Sequence, residues 1–162
     1  MHRTTFPTPL GRCALSWHEA GVTGFELPEA PAKADDLPSP PADLAAIVAR
    51  VQRHLGGHAQ DFSDVPYDFA ELPAFNLAVL RATLAVKSGQ TRSYGEIAAA
   101  IGQPPAASRA VGSALGANRW PLLIPCHRIV ASDGRMTGFS GPGGVKTKLR
   151  LLALEGAQLF SD

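Results

Sequence analysis

From Leu10 to Leu27 the chain reads LGRCALSWHEAGVTGFEL, with apolar segments alternating around the turn-forming stretch His18 to Gly21. That pattern predicts a β-hairpin and a small N-terminal sheet. The next segment, LPEAPAKADDLPSPP, is Pro-rich, acidic and aperiodic, so it reads as a surface loop. Helical spacing begins at Asp43: Leu44, Ile47, Val48, Val51 and Leu55 share one face, which predicts an amphipathic helix over 43–55 capped by Asp43. GGHAQDFSDVPYDFAELP then breaks the period and ends at Pro73. This stretch marks the boundary between an α/β N-terminal domain, residues 1–72, and a helical C-terminal domain, residues 73–162.

Beyond the boundary, Phe75, Val79, Leu80, Leu84 and Val86 predict a helix that ends before Ser88-Gly89. SYGEIAAAIG carries a capping box, Ser93 with Glu96 three residues on, followed by Ile97 and Ile101 and stopped by Gly102. A further helix over about 106–115 begins after Pro104-Pro105 and stops at Gly116. Two short helices joined by a tight turn predict a helix-turn-helix. On the second, Arg109, Gly112, Ser113 and Gly116 recur at spacings of three and four, a smooth strip with one long cation, while Val111, Ala114 and Leu115 face the core. Such a strip fits either tight helix packing or close approach to DNA.

A length of 162 residues with 45% apolar content supports a real core and excludes wholesale disorder. Two cysteines make no disulfide framework, which points to a reducing compartment. With no apolar N-terminal region and no run of eighteen apolar residues, the expectation is a cytoplasmic protein that does not enter a membrane. The net charge of +1 conceals an asymmetry: residues 1–71 carry net −5 and residues 72–162 net +6. A basic domain with an acidic companion points to a polyanion partner.

The candidate chemistry lies in LLIPCHRIV. Cys126 stands between Pro125 and the pair His127 and Arg128, and a thiol reacts as thiolate when a base or a cation is at hand. A histidine adjacent in sequence needs a water relay or a bend at Pro125 to reach it, and a third group must orient the imidazole. Glu155, in LRLLALEG, is the one acid between Asp133 and Asp162. GFSGPGGVKTK fails as a phosphate loop because Val145 separates Gly144 from Lys146-Thr147, so it reads as a flexible loop closing over a pocket. Cys13, His18, His54 and His58 show no metal-ligand spacing, and neither a metal nor a cofactor is expected.

Taken together, SYGEIAAAIG, SRAVGSALGAN, IPCHRIV, GFSGPGGVKTK and LLALEG resemble the methylated-DNA–protein-cysteine methyltransferases, or O6-alkylguanine-DNA alkyltransferases, over about Phe75 to Ala157. The resemblance implies a small ribonuclease H-like α/β domain followed by a winged-helix-like domain with the helix-turn-helix. It also implies a monomer acting on double-stranded DNA that contains O6-alkylguanine and, as a further substrate, O4-alkylthymine. Cys126 would take the alkyl group irreversibly. His127 would act as base through water, Glu155 would hold His127, and Asn118 would bond to the backbone shaping the site. Tyr94 would press on the target phosphate and help protonate the leaving guanine, and Arg109 would fill the stack after base flipping. Ser93, Ala110, Gly112, Ser113 and Gly116 would complete the DNA surface; Pro125, Val130, Phe139, Ser140 and Lys148 would form the substrate pocket. Three features depart from the family pattern: a longer turn at QPPAAS, NRWP where proline usually follows the asparagine, and Asn76 in place of glutamine. The rival readings are a non-catalytic lesion binder, a helix-turn-helix regulator and a cysteine hydrolase.

Overall fold

A computed structural model describes residues 2–28, 40–131 and 144–157. Among these, three antiparallel strands form the N-terminal sheet in the order β1 (His2–Thr8), β2 (Gly11–His18), β3 (Gly21–Glu26). The hairpin matches expectation, whereas β1 adds a strand that the sequence pattern does not announce. Its register, His2 opposite Trp17 through Thr8 opposite Gly11, leaves β2 central, with Cys13, Ala14 and Leu15 all buried. The β2–β3 turn needs glycine at Gly21. Its φ is +136°, and a Cβ there would lie 2.4 Å from the Pro66 carbonyl oxygen.

Helix α1 (Ala42–Leu55) buries Leu44, Ile47, Val51 and Leu55 and packs along β1. Asp43 is not its cap: Pro41 holds that position without a side-chain hydrogen bond, and Asp43 lies in the first turn. There its charge suits the positive end of the helix. The following stretch, read from sequence as a break, is irregular but anchored. Phe62 and Val65 are buried, and backbone bonds Val22 N–H to Pro66 O (2.8 Å) and Asp68 N–H to Val22 O (2.9 Å) extend the edge of β3.

Next come α2 (Ala74–Leu84), the two-residue strand β4 (Arg92–Ser93) and α3 (Tyr94–Ala100), a 3-10 turn over Pro105–Ala107, and α4 (Ser108–Gly116). The capping box forms in both directions: Glu96 N–H donates to Ser93 Oγ at 3.0 Å, and Ser93 N–H donates to Glu96 Oε1 at 2.9 Å. Val111, Ala114 and Leu115 turn inward and α4 packs on α2 and α3, leaving Arg109, Ala110, Ser113 and Gly116 exposed. Strand β5 (Ile129–Val130) pairs in parallel with β4, which ties the start of α3 to the segment just after Cys126. Helix α5 (Gly144–Leu154) buries Lys148, Leu151 and Leu152. None of the described helices is long and apolar enough to cross a membrane.

The NRWP departure has a packing role. Trp120 is fully buried, donates Nε1–H to Val22 O at 2.9 Å, and meets Tyr67 and Phe69 edge-on. Phe25 N–H donates to Arg119 O at 2.9 Å, so this turn docks the N-terminal sheet onto the helical segment.

Candidate active site

Cys126, His127 and Arg128 form a single 3-10 turn after Pro125, whose ψ of 64° bends the chain. Just upstream, Leu122 takes a left-handed φ of 77°, a conformation costly for a branched side chain and held here by full burial. Asn118 braces the approach: its Nδ2–H donates to Ile124 O at 3.0 Å and its Oδ1 accepts from Trp120 N–H at 3.0 Å.

Glu155 directly follows the last residue of α5, and its backbone N–H is still bonded to Leu151 O and Leu152 O. The side chain turns inward and is 2% exposed. Its carboxylate receives His127 Nε2 at 2.9 and 3.0 Å, Arg128 Nε at 2.9 Å and Nη2 at 2.8 Å, and His54 Nε2 at 2.8 Å. Arg128 therefore makes a bidentate pair, and its remaining arm donates to Val86 O at 2.7 Å. Burial alone would raise Glu155, but these donors outweigh it and hold the carboxyl well below the usual carboxylate range.

An ionised carboxylate only accepts, so His127 Nε2 carries the proton and Nδ1 carries the lone pair. Burial lowers the imidazole below the ordinary histidine value against the pull of Glu155, whose charge is already matched by Arg128. The ring is thus a neutral base. Its Nδ1 is buried and has no hydrogen-bond partner among the described residues.

Burial pushes the Cys126 thiol above its ordinary value, opposed by the Asn118 amide, by Lys148 and by backbone N–H groups. The resting group is a protonated thiol whose ionisation needs a base. Lys148 is 1% exposed and donates Nζ–H to Ile129 O at 2.7 Å; burial lowers its pKa and Cys126 opposes the shift. Val130 is buried on β5 beside Ser93, its partner in the ladder. Pro125 is buried and lines a cavity of about 250 Å³ with Arg128, Gln60 and Phe62, which does not include Cys126. Phe139 and Ser140 lie outside the described residues.

Tyr94, the first residue of α3, faces α4: a Cβ on Gly112 would meet its Cε1 at 3.8 Å, an ordinary contact. Nothing lies within 4 Å of a Cβ placed on Gly116. Neither α4 glycine is therefore demanded by packing inside the protein.

Sequence reasoning missed two members of this cluster. From sequence alone Arg128 reads only as a source of positive field for the thiol, and His54 only as part of a rejected metal set. His54 falls three residues after Val51 and seven after Ile47, on the apolar stripe of α1. A polar ring on a buried face needs a partner, and that was the available signal.

Residues 74–157 match the family model described as 6-O-methylguanine DNA methyltransferase, DNA binding domain. Fold and site therefore define a DNA-binding protein of the methylguanine-methyltransferase class. The chain is 36% identical over 151 residues to the methylated-DNA–protein-cysteine methyltransferase of Methanothermobacter thermautotrophicus, covering 93% of this chain and 83% of that one. Against the methylated-DNA–protein-cysteine methyltransferase of Mycobacterium bovis the identity is 35% over 165 residues, covering 100% and 96%. A DNA base-flipping protein of Thermus thermophilus is 39% identical over 152 residues, covering 93% and 97%. The crystal structure of Mycobacterium tuberculosis OGT in complex with DNA superposes with a TM-score of 0.82 at 36% identity, across 96% of this chain and 93% of that one. The chain belongs to the methylated-DNA–protein-cysteine methyltransferase family.

Proposed function

We propose that the chain repairs DNA by moving an alkyl group from O6 of guanine to Sγ of Cys126, once per molecule. The observation that carries this reading is His127: a buried neutral imidazole, proton fixed on Nε2 by Glu155, with the lone pair of Nδ1 unspent. A water bridging Nδ1 and Sγ passes the thiol proton to the ring. The thiolate attacks the alkyl carbon, the C–O bond breaks, and its electrons leave on guanine O6. Tyr94 supports protonation of the departing base, and the new S–C bond is a thioether with no route back to thiol at neutral pH.

A base reacts only outside the stack. In this reading the exposed strip of α4 enters the minor groove, with Ala110, Gly112, Ser113 and Gly116 against the backbone and Arg109 in the gap. Ser93 caps α3 at the edge of that surface, and the target guanine lies among Val130, Pro125, Lys148, Phe139 and Ser140. The N-terminal domain, 1–72, is ribonuclease H-like and the C-terminal one, 73–162, winged-helix-like. The protein works as a cytoplasmic monomer. O4-alkylthymine is a second substrate on the same chemistry.

Excess O6-methylguanine duplex should leave one methyl group in place of the thiol proton, on the peptide containing Cys126, with yield capped at one lesion per molecule. Methyl on the peptide containing Cys13, or more repaired guanine than protein, would refute the reading. A second reading keeps the base flipping that the Thermus thermophilus relative is named for and drops the transfer. An unchanged mass with tight, lesion-selective binding would establish it.

The small residues of α4 give a separate test. Gly116→Ala replaces glycine in a helix at an open position, so the fold should be unharmed or stabilised by up to about 1 kcal/mol. The added methyl stands on the DNA-facing strip, and duplex affinity should fall several-fold in a fluorescence titration. Wild-type affinity in the alanine variant would remove Gly116 from the DNA surface.

A further inference from the structure

We infer that His54 is a positioning residue for alkyl transfer, supplied by the N-terminal segment to the relay behind Cys126. The inference rests on the reading above. His54 sits in the last turn of α1, 101 residues from Glu155 in sequence, yet its Nε2 lies 2.8 Å from Glu155 Oε2. Both side chains are 2% exposed, so the contact is shielded from water and from screening ions.

The ring arrives in one tautomer. The chain folds back after α1, with Gly57 at φ +97° and His58 N–H bonded to Arg53 O at 3.0 Å. That turn brings Gln60 N–H to His54 Nδ1 at 3.0 Å. A backbone amide only donates, so Nδ1 accepts and Nε2 carries the hydrogen that points at Glu155. Phe62 flanks the ring at 5.6 Å between centroids. His54 is therefore preorganised by its own loop before it meets the carboxylate.

At the carboxylate, Arg128 spans both oxygens and His127 approaches both, whereas His54 addresses Oε2 alone. This third donor opposes rotation of the carboxylate about its last bond, and the carboxylate in turn aims the His127 ring. Carboxylates that orient metal-bound histidines cost about tenfold or more in activity when lost, and the same orienting logic applies to the Glu155 carboxylate behind His127. The N-terminal segment thereby enters the chemistry without touching the DNA or the thiol.

Two substitutions divide the ring's two bonds. His54→Asn keeps an acceptor near the Nδ1 position for Gln60 N–H but loses the donor. His54→Gln places an amide N–H near the Nε2 position and loses the acceptor. The rate of single-turnover transfer at saturating O6-methylguanine duplex should fall about tenfold in the asparagine variant, and glutamine should recover most of that loss. The DNA concentration at half-maximal rate should stay unchanged in both. Equal slowing of the two variants, or an asparagine variant as fast as wild type, would reduce His54 to an interdomain pin. Nitrogen-15 spectra of the histidine rings in the wild-type protein provide a check that needs no variant: Nε2-protonated His54 is expected, and the Nδ1-protonated form would overturn the inference. If wild type itself transfers nothing in the parallel assay, the proposed function fails and the role of His54 falls with it.

Discussion

Glu155→Gln is expected to lower stability by about 3 kcal/mol and to slow alkyl transfer on the order of a hundredfold. Both effects follow from one buried carboxylate. Arg128 is 7% exposed on its side chain and makes two of its charge-assisted bonds to Glu155. A neutral amide leaves that guanidinium buried without a counter-charge, the costly way to break a buried pair. The glutamine amide also offers a donor where His127 Nε2–H needs an acceptor, so the ring is freed to adopt the other tautomer and present N–H toward the thiol. Urea unfolding and single-turnover rates, measured side by side, should both move. A stability loss with an unchanged rate would place Glu155 in the fold alone.

The same cluster contributes to the response to acid. Glu155 is held below its unfolded value, so its contribution is complete above about pH 4.3 and is lost as pH falls toward the folded pKa. His127 is buried neutral, with its folded pKa also lowered. The unfolded chain takes up that proton as pH drops through about 6.5, which weakens folding from there downward. Stability should therefore decline in two stages between neutral pH and pH 3. In Glu155→Gln the lower stage should shrink while the upper remains. Parallel losses in the two proteins across the lower stage would contradict the assignment.

Elements whose signals are local were legible in the sequence. The hairpin announces itself by alternation around His18 to Gly21, α1 by its stripe, and α3 by reciprocal capping between Ser93 and Glu96. Strand β1 was not legible, because HRTTFPT has one large apolar residue, Phe6, and becomes a strand through its partner β2. Asp43 misleads as a cap because the prolines before it already fix the chain's entry into the helix. The candidate site divides in the same way. IPCHR marks itself, but its electrostatics depend on contacts far apart in sequence, His54 to Glu155 and Arg128 to Val86 O. The first is made by the docking of the N-terminal segment, partly through Trp120, onto the helical one, the second by packing within the helical segment, and no spacing rule contains either.

Cys126→Ala should abolish transfer completely while leaving DNA binding and the fold nearly intact. Cys126 is 8% exposed, and removing one buried atom at this turn costs about 1 kcal/mol. None of the groups proposed for DNA contact on α4 uses the sulfur. Asn118 retains its bonds to Ile124 O and Trp120 N–H, so the bend that presents residue 126 should persist. Cys13 offers no substitute nucleophile: it is buried in β2, and burial pushes its thiol up to about 11 despite a hydrogen bond with Thr8. The variant should behave as a binder that flips but cannot discharge the lesion. It should hold O6-methylguanine duplex longer than undamaged duplex in a dissociation assay, with no methyl group on any peptide. Residual methylation of the alanine variant would mean that another atom accepts the alkyl group, and the roles given to His127 and Glu155 would fall with that of Cys126.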